Sequence, residues 1–242
     1  MSIGTCKLCG ANTHLIKAHI IPRSLYGELC DESGRVSKLV SNTPGTYPTR
    51  VPIGIYDSTI VCRSCEALFS PWDDYANTFF SRTDGVPIEY NGKVIGYEYP
   101  DYNYNKLKLF FISMLWRAHA SSQPFFHRVS LGCHEDAIKR MIFNSDPGSP
   151  DDFSVVLAKF DHELGAAFQD PYLGRLAGIN NYRFYFPMYF ASIKVDKRVL
   201  TRELTDIMLK PDEPCRVVVR EFAKSKEVQV LFDIVNSHKG RV

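Results

Sequence analysis

Two pairs of cysteines constrain this chain more than anything else in it: Cys6-Lys7-Leu8-Cys9 and Cys62-Arg63-Ser64-Cys65, separated by 52 residues. Two residues between cysteines let both sulfurs face one ion from a tight turn, and two such knuckles complete a tetrahedral all-thiolate zinc site. The thiolates lose protons as they bind, so the binding free energy becomes folding free energy. That contribution matters here. Residues 1–80 hold five of the seven cysteines and much Gly, Pro, Ser and Thr, with only short apolar segments. The alternatives are two chance turns or one redox pair, but a thioredoxin-like pair stands beside a βαβ pattern that is missing here. An odd cysteine count cannot be used up by disulfides within one chain. The N-terminus has no apolar signal segment, and the longest apolar stretches fall short of the ~20 residues a membrane span requires. The expectation is therefore a cytoplasmic, reducing setting with no membrane, where paired cysteines bind metal. Cys30, Cys133 and Cys215 are isolated and read as small buried hydrophobes.

The 242 residues divide by composition near position 80 into regions 1–80 and 81–242. In the first, Leu15–Ile21 and Val51–Ile55 are short apolar segments and Ser70–Phe80 reads as a helix. The turn-rich run Asp31–Pro52 reads as a long loop. In the second, Val86–Tyr90 and Lys93–Tyr97 flank Asn91-Gly92, the strongest short hairpin signal. Asn105–Ser121 carries apolar residues at helical spacing, and Gly132–Phe143 repeats the pattern over a shorter span. Asn144–Asp152 is a loop and residues 200–210 hold a short helix. Phe153–Phe160, Tyr182–Val195 (interrupted by Pro187), Cys215–Phe222 and Glu227–Val235 read as strands, the last two with Val alternating as in a sheet with one wet face. The expected class is α+β: an N-terminal zinc-stapled region, then an accessory region of helices packed on a mainly antiparallel sheet. Formal charge is only +2, which excludes a grossly basic nucleic-acid coat protein but leaves room for a local basic groove.

A closed four-thiolate site has no open coordination position, so its chemistry is sought in what it holds together. Between the knuckles lies Ala18-His19-Ile20-Ile21-Pro22, and the second knuckle continues Val61-Cys62-Arg63-Ser64-Cys65-Glu66. This arrangement resembles the HNH, or ββα-metal, nuclease family in its zinc-stapled form. Cys6 and Cys9 match the first knuckle, His19-Ile20-Ile21-Pro22 the strand and its stop, and Cys62 and Cys65 the second knuckle. Asp57 falls at the place of the family's loop Asn, and Glu66 at the place of its last His or Asn. The likeness covers residues 6 to about 76. A broader likeness, to bacterial and phage proteins of this size, rests on the His19 strand, Trp72-Asp73-Asp74-Tyr75 and the segment Phe111–Ala118. Some HNH proteins of comparable size act in anti-phage defence beside an ATPase, and it is the HNH resemblance that implies a role in phage–host conflict with such a protein partner.

The resemblance implies a DNA-cutting hydrolase with His19 as general base, since a neutral imidazole of pKa ~6.5 can take a proton from the attacking water. It implies a catalytic Mg2+ or Mn2+ beside the structural Zn2+, with Glu66 as ligand, Asp57 in the catalytic loop, and Asp73 supplying a further oxygen if the helix is continuous. The other reading of Asp73 and Asp74 is a solvated acidic pair in a first helical turn. Three departures stand out. Ala18 sits where the family places a metal ligand, Asp57 replaces Asn, and 42 residues separate His19 from Cys62. Lys17, Arg23, Arg50 and Arg63 are candidate phosphate contacts, but residues 1–80 carry seven basic and seven acidic side chains, a formally neutral module. Tyr97, Tyr99, Tyr102 and Tyr104 read as sheet-edge and turn residues rather than base-stacking ones. The runner-up function is a catalytically degenerate zinc module that binds nucleic acid or a protein partner. Residues 81–242 contain no phosphate loop, nucleophile elbow or paired-His motif.

Overall fold

Leu15 and Ala18 are both buried on β2 (Asn12–His19), three residues apart, which a regular strand with its period of two does not allow. A bulge between Ile16 and Ala18, opposite β5 (Tyr56–Cys62), resolves the conflict and turns His19 to the other face. The computed structural model describes residues 3–29, 36–40, 49–51, 54–161, 168–186 and 188–229. β1 (Ile3–Thr5), β2 and β5 form an antiparallel sheet in that order, and α1 (Arg63–Phe80) leaves β5 without a loop. Two strands and a helix thus make a ββα unit with one cysteine pair before β2 and the other at the junction of β5 and α1.

α1 begins seven residues before Ser70, the start that the sequence suggested, and runs through Pro71. Proline inside a helix costs ~3 kcal/mol. Here Phe69, Trp72, Ala76 and Phe79 are buried on one face and offset it, each large apolar side chain contributing ~1.5–3 kcal/mol. Asp73 therefore lies mid-helix, not in a first turn. A second correction falls between β2 and β5. The turn-rich run contains β3 (Val36–Val40) and β4 (Thr49–Val51), which pair with each other, and β3 also pairs in parallel with β9 (Phe168–Gln169). Val51 ends β4, while Gly54 and Ile55 lie outside any strand.

β6 (Val86–Tyr90) and β7 (Lys93–Tyr99) form the expected hairpin, with both Asn91 (φ 51°) and Gly92 (φ 71°) left-handed as a type I′ turn requires. α2 (Tyr104–Ala120) is buried nearly all round, and α3 (Glu135–Asn144) packs on it after a short 3-10 turn, Gly132–His134. β8 (Val155–Phe160), β10 (Tyr172–Leu176), β11 (Ile179–Tyr185), β12 (Tyr189–Lys194) and β13 (Cys215–Arg220) complete a seven-stranded sheet, with α4 (Arg202–Thr205) before β13. Its order is β10-β11-β12-β8-β13-β7-β6, antiparallel except for β8 beside β13. The chain is α+β, with a mostly antiparallel main sheet. The expected strand Glu227–Val235 is corrected where it can be seen. Residues 226–229 form a helical turn that Ser225 caps by accepting the Val228 N–H at 3.2 Å, and residues 230–235 lie outside the described residues, as does Cys30.

One continuous core crosses position 80: Phe69 and Trp72 of α1, Trp116 of α2, Leu157 of β8 and Phe184 of β11 belong to the same buried cluster. Tyr99 and Tyr104 are buried and Tyr102 donates to Lys210 O, so these tyrosines serve packing. One charge is out of place. Lys108 on α2 has no solvent exposure, and its ammonium meets no carboxylate partner among the described residues, only the Pro150 carbonyl at 3.5 Å and the Tyr104 ring at 5.7 Å. Burial pulls its ammonium down to about 7, Asp152 opposing this and Lys194 adding to it. Because the folded value lies below that of a free lysine, ~10.4, the fold gains stability as pH rises from 7 toward 10. Lys108→Met is expected to stabilise the protein by at least ~1 kcal/mol at pH 7 and to remove that alkaline gain, as thermal melts at pH 7 and 9.5 will show.

Candidate functional site

The first knuckle is a backbone turn before it is a ligand. The Gly10 N–H donates to Cys6 O at 2.8 Å, and Gly10 takes φ +77°, a conformation that a side chain resists. The Cys6 N–H reaches Ala11 O, and the Lys7 N–H bonds Ile60 O on β5, locking the knuckle to the neighbouring strand. The second knuckle straddles the start of α1. Cys62 is the residue before its first turn and Cys65 lies within that turn. The ligand sulfurs of Cys6, Cys9, Cys62 and Cys65 all lie within 4.8 Å of one another. The Cys9–Cys62 separation is 3.9 Å, against the ~3.8 Å edge of a tetrahedron with ~2.3 Å metal–sulfur bonds. The Cys62 N–H also points at Cys6 Sγ (3.4 Å), and Ser64 Oγ lies 3.2 Å from Cys62 Sγ. Burial raises the Cys62 thiol, but hydrogen bonds from Ser64 and the Cys65 backbone overcome it and bring it down to about 6, whereas burial and the neighbouring thiols push Cys65 up. The four cysteines can hold a structural metal ion.

Beyond the knuckles, the bulge in β2 sets His19 against Tyr56, its register partner on β5, with ring centroids 6.2 Å apart. The imidazole is half-buried and faces away from Ala18, which is fully buried. The Lys17 ammonium lies 4.8 Å from the same Tyr56 ring. On α1, Glu66 and Asp73 share a face, and both answer to one cation. Arg117 of α2, fully buried, donates through Nη1 to Asp73 Oδ2 (2.8 Å) and to the His19 carbonyl (2.8 Å), and through Nη2 to Asp73 Oδ1 (2.7 Å). The Glu66 carboxyl is pushed up to about 7 by burial, with Arg117 pulling it down and Asp73 adding to the rise. Its Oε2 is buried without a hydrogen-bond partner.

Asp57 is placed differently from the sequence expectation. It is buried, Oδ1 accepting from the Thr59 N–H and hydroxyl, and Oδ2 from the Ser122 N–H and hydroxyl and the Ser121 hydroxyl. Burial opposes the charged form, yet the bonds from Thr59 and Ser122 hold the carboxyl down to about 2. Its two oxygens are thus divided between its own strand and the segment after α2. The same end of α2 is met by Lys7 of the first knuckle, whose Nζ donates to Ala120 O at 2.6 Å. Lys7, Arg117, Ser121 and Ser122 were not among the sequence candidates. The available signal was Arg117 itself, the one charge within Leu109–Ala118 of α2.

Of the candidate phosphate contacts, Lys17, Arg23 and Arg63 are exposed, and the side chain of Arg50 lies outside the described residues. A groove of about 750 Å³ lies between β2 and the start of α1, lined by His14, Arg63 and Ser64 beside Cys9, with no carboxylate among its described lining residues. No described helix is long and apolar enough to cross a membrane. Comparison with protein-family profiles, curated proteins and solved structures gives no match to the chain.

Two outcomes follow from this geometry. Stripping the cysteine-bound ion with a strong chelator, or Cys62→Ser, is expected to lower the thermal midpoint by at least ~10 °C together with loss of one equivalent of metal, read by melting and elemental analysis. Asp57→Ala is expected to cost roughly 2–4 kcal/mol in denaturant unfolding, because the Ser122 and Thr59 donors lose a buried acceptor. Since the folded Asp57 value is depressed, its contribution is whole above the unfolded carboxyl's ~4 and disappears as pH falls toward about 2. The wild-type loss over that window is smaller in the variant.

Proposed function

We propose that this protein is an HNH-type endonuclease that hydrolyses phosphodiester bonds of DNA, with Zn2+ held by Cys6, Cys9, Cys62 and Cys65 and with His19 as general base. The supporting observation is the ββα unit itself. Four convergent sulfurs bring the turn before β2 against the start of α1, and β2 ends on a half-buried histidine whose backbone is tied to the helix layer. A soft four-thiolate set suits zinc better than any hard cation. His19 accepts the proton of the attacking water, and the exposed Lys17, with Arg63 in the carboxylate-free groove, meets backbone phosphates.

The donors for a second, catalytic cation are fewer than the sequence suggested. Asp73 is taken by Arg117 and Asp57 by Thr59, Ser121 and Ser122, which leaves Glu66 with an oxygen to spare. One carboxylate with waters and substrate phosphate is a sufficient protein contribution for Mg2+ or Mn2+. Bound there, such an ion neutralises charge on the phosphate and the leaving oxygen.

A second reading, a zinc module that binds nucleic acid or a protein partner without cutting, is favoured by one observation: Ala18 offers no ligand and the Arg117 guanidinium already faces both helix carboxylates. Purified protein incubated with plasmid, single-stranded DNA and RNA under Mg2+, Mn2+ or chelator separates the two. The nuclease reading expects divalent-dependent nicking of DNA that His19→Ala lowers by ~10²-fold or more while leaving the cysteine-bound metal in place. No cleavage under any cation, or equal cleavage by the His19 variant, rejects it, and retained DNA binding without cleavage supports the second reading.

A further inference from the structure

We infer that Arg117 is a positioning residue for the candidate site, holding the His19 end of β2 and the Asp73 turn of α1 in one fixed relation. The inference rests on the assignment of His19 above. Its basis is how the guanidinium spends its donors. Nη1 serves the His19 carbonyl and Asp73 Oδ2, while Nη2 serves Asp73 Oδ1 and, at 3.3 Å, Ser113 Oγ. The plane lies over Phe69, 4.8 Å from its centroid, and Nε is buried without a partner. With no exposed N–H, Arg117 has nothing to offer a phosphate. Whatever it does for chemistry passes through the residues it holds.

The geometry is more demanding than charge neutralisation. A two-pronged fork on a carboxylate fixes the orientation of both partners, whereas a lysine ammonium in the same place supplies charge without direction. The third bond goes to the carbonyl of the residue that carries the imidazole, and it comes from a helix almost a hundred positions later in the chain. The bulge between Ile16 and Ala18 interrupts the pairing of β2 with β5 close to His19, and the Arg117 bond adds an anchor on the far side of that irregularity. The pair with Tyr56 and the Ile20 N–H bond to Ile55 O tie that strand end to the β5 side, and the Arg117 bond ties it to the helix layer. A displacement of ~1 Å at a reacting group can cost ~10²-fold in rate.

The test uses the full-length, metal-loaded protein and the variant Arg117→Lys, with Asp73→Asn as the second variant should the first not fold. Three quantities are read: bound metal per chain, the imidazole 1H–15N signals of His19 (assigned by their loss in His19→Ala), and the steady-state constants on plasmid DNA. The expected result is full metal content, a shifted or broadened His19 imidazole signal, and kcat reduced at least ~10-fold with KM within ~2-fold. A merely structural pair would leave the His19 signal and kcat untouched in any variant that folds and keeps its metal, and that result overturns the inference. If the wild type cuts no nucleic acid, the nuclease reading fails by itself, and the His19 signal decides the role of Arg117. An unchanged signal in the folded variant rejects it there too.

Discussion

Four sulfurs within 4.8 Å of one another are the constraint on which the N-terminal third depends. As thiolates they repel, and as thiols they leave buried S–H groups with little to bond, so a cation between them turns an unfavourable cluster into a crosslink. The crosslink is between distant points of the chain. With a metal bound it would join the turn before β2 to the junction of β5 and α1 and fix β2, β5 and the first helical turn as one corner. Given that corner, few apolar residues are required to hold the unit together, and Leu15, Ala18, Ile60, Val61 and Phe69 supply them.

The corner does not stand alone, because its polar groups are completed by α2. Lys7 meets the carbonyl end of that helix, where a cation is favoured by the helix dipole. Asp57 accepts from the serines just past it, and Arg117 returns from its last turns to Asp73 and the His19 carbonyl. Removing one partner of a buried ion pair costs ~3–5 kcal/mol because the other charge is left stranded. The helix is thus not a neighbour that happens to touch the ββα unit. It neutralises charges that the unit itself buries.

What was legible in the sequence is what local chemistry determines. Two C-x-x-C spacings gave the sulfur cluster, Asn91-Gly92 gave a type I′ hairpin, and the apolar run around Phe110 gave a buried helix. The misreadings arise where a distant partner outweighs the local signal. Pro71 looks like a helix start until Phe69 and Cys65 are seen buried on the same face before it. The polar run after Asp31 looks like loop because the strand that pairs with β3 lies at Phe168–Gln169. Val alternation after Glu227 looks like strand, but Ser225 caps a turn there, and Glu227 is drawn inward to Arg183 and Tyr185 at 2.7 and 2.8 Å. Asp57 and Asp73 were visible as carboxylates near the motif, but their hydrogen-bond partners, 64 and 44 positions away, were not.

The same logic bears on how a degenerate-looking motif is to be judged. In isolation, alanine at position 18 removes a ligand and argues for lost activity. In the structure, the methyl group is fully buried and the carbonyl of the next residue receives a guanidinium bond that also clamps Asp73. A carboxylate or imidazole in place of Ala18 would bring a polar group into a packed interior, with a desolvation cost of several kcal/mol unless a partner or an ion came with it. The two positions are therefore read together: Ala18 adds no polar group to the packed end of β2, where Arg117 holds the next residue's carbonyl, and of Asp57, Glu66 and Asp73 only Glu66 keeps a buried oxygen without a hydrogen-bond partner.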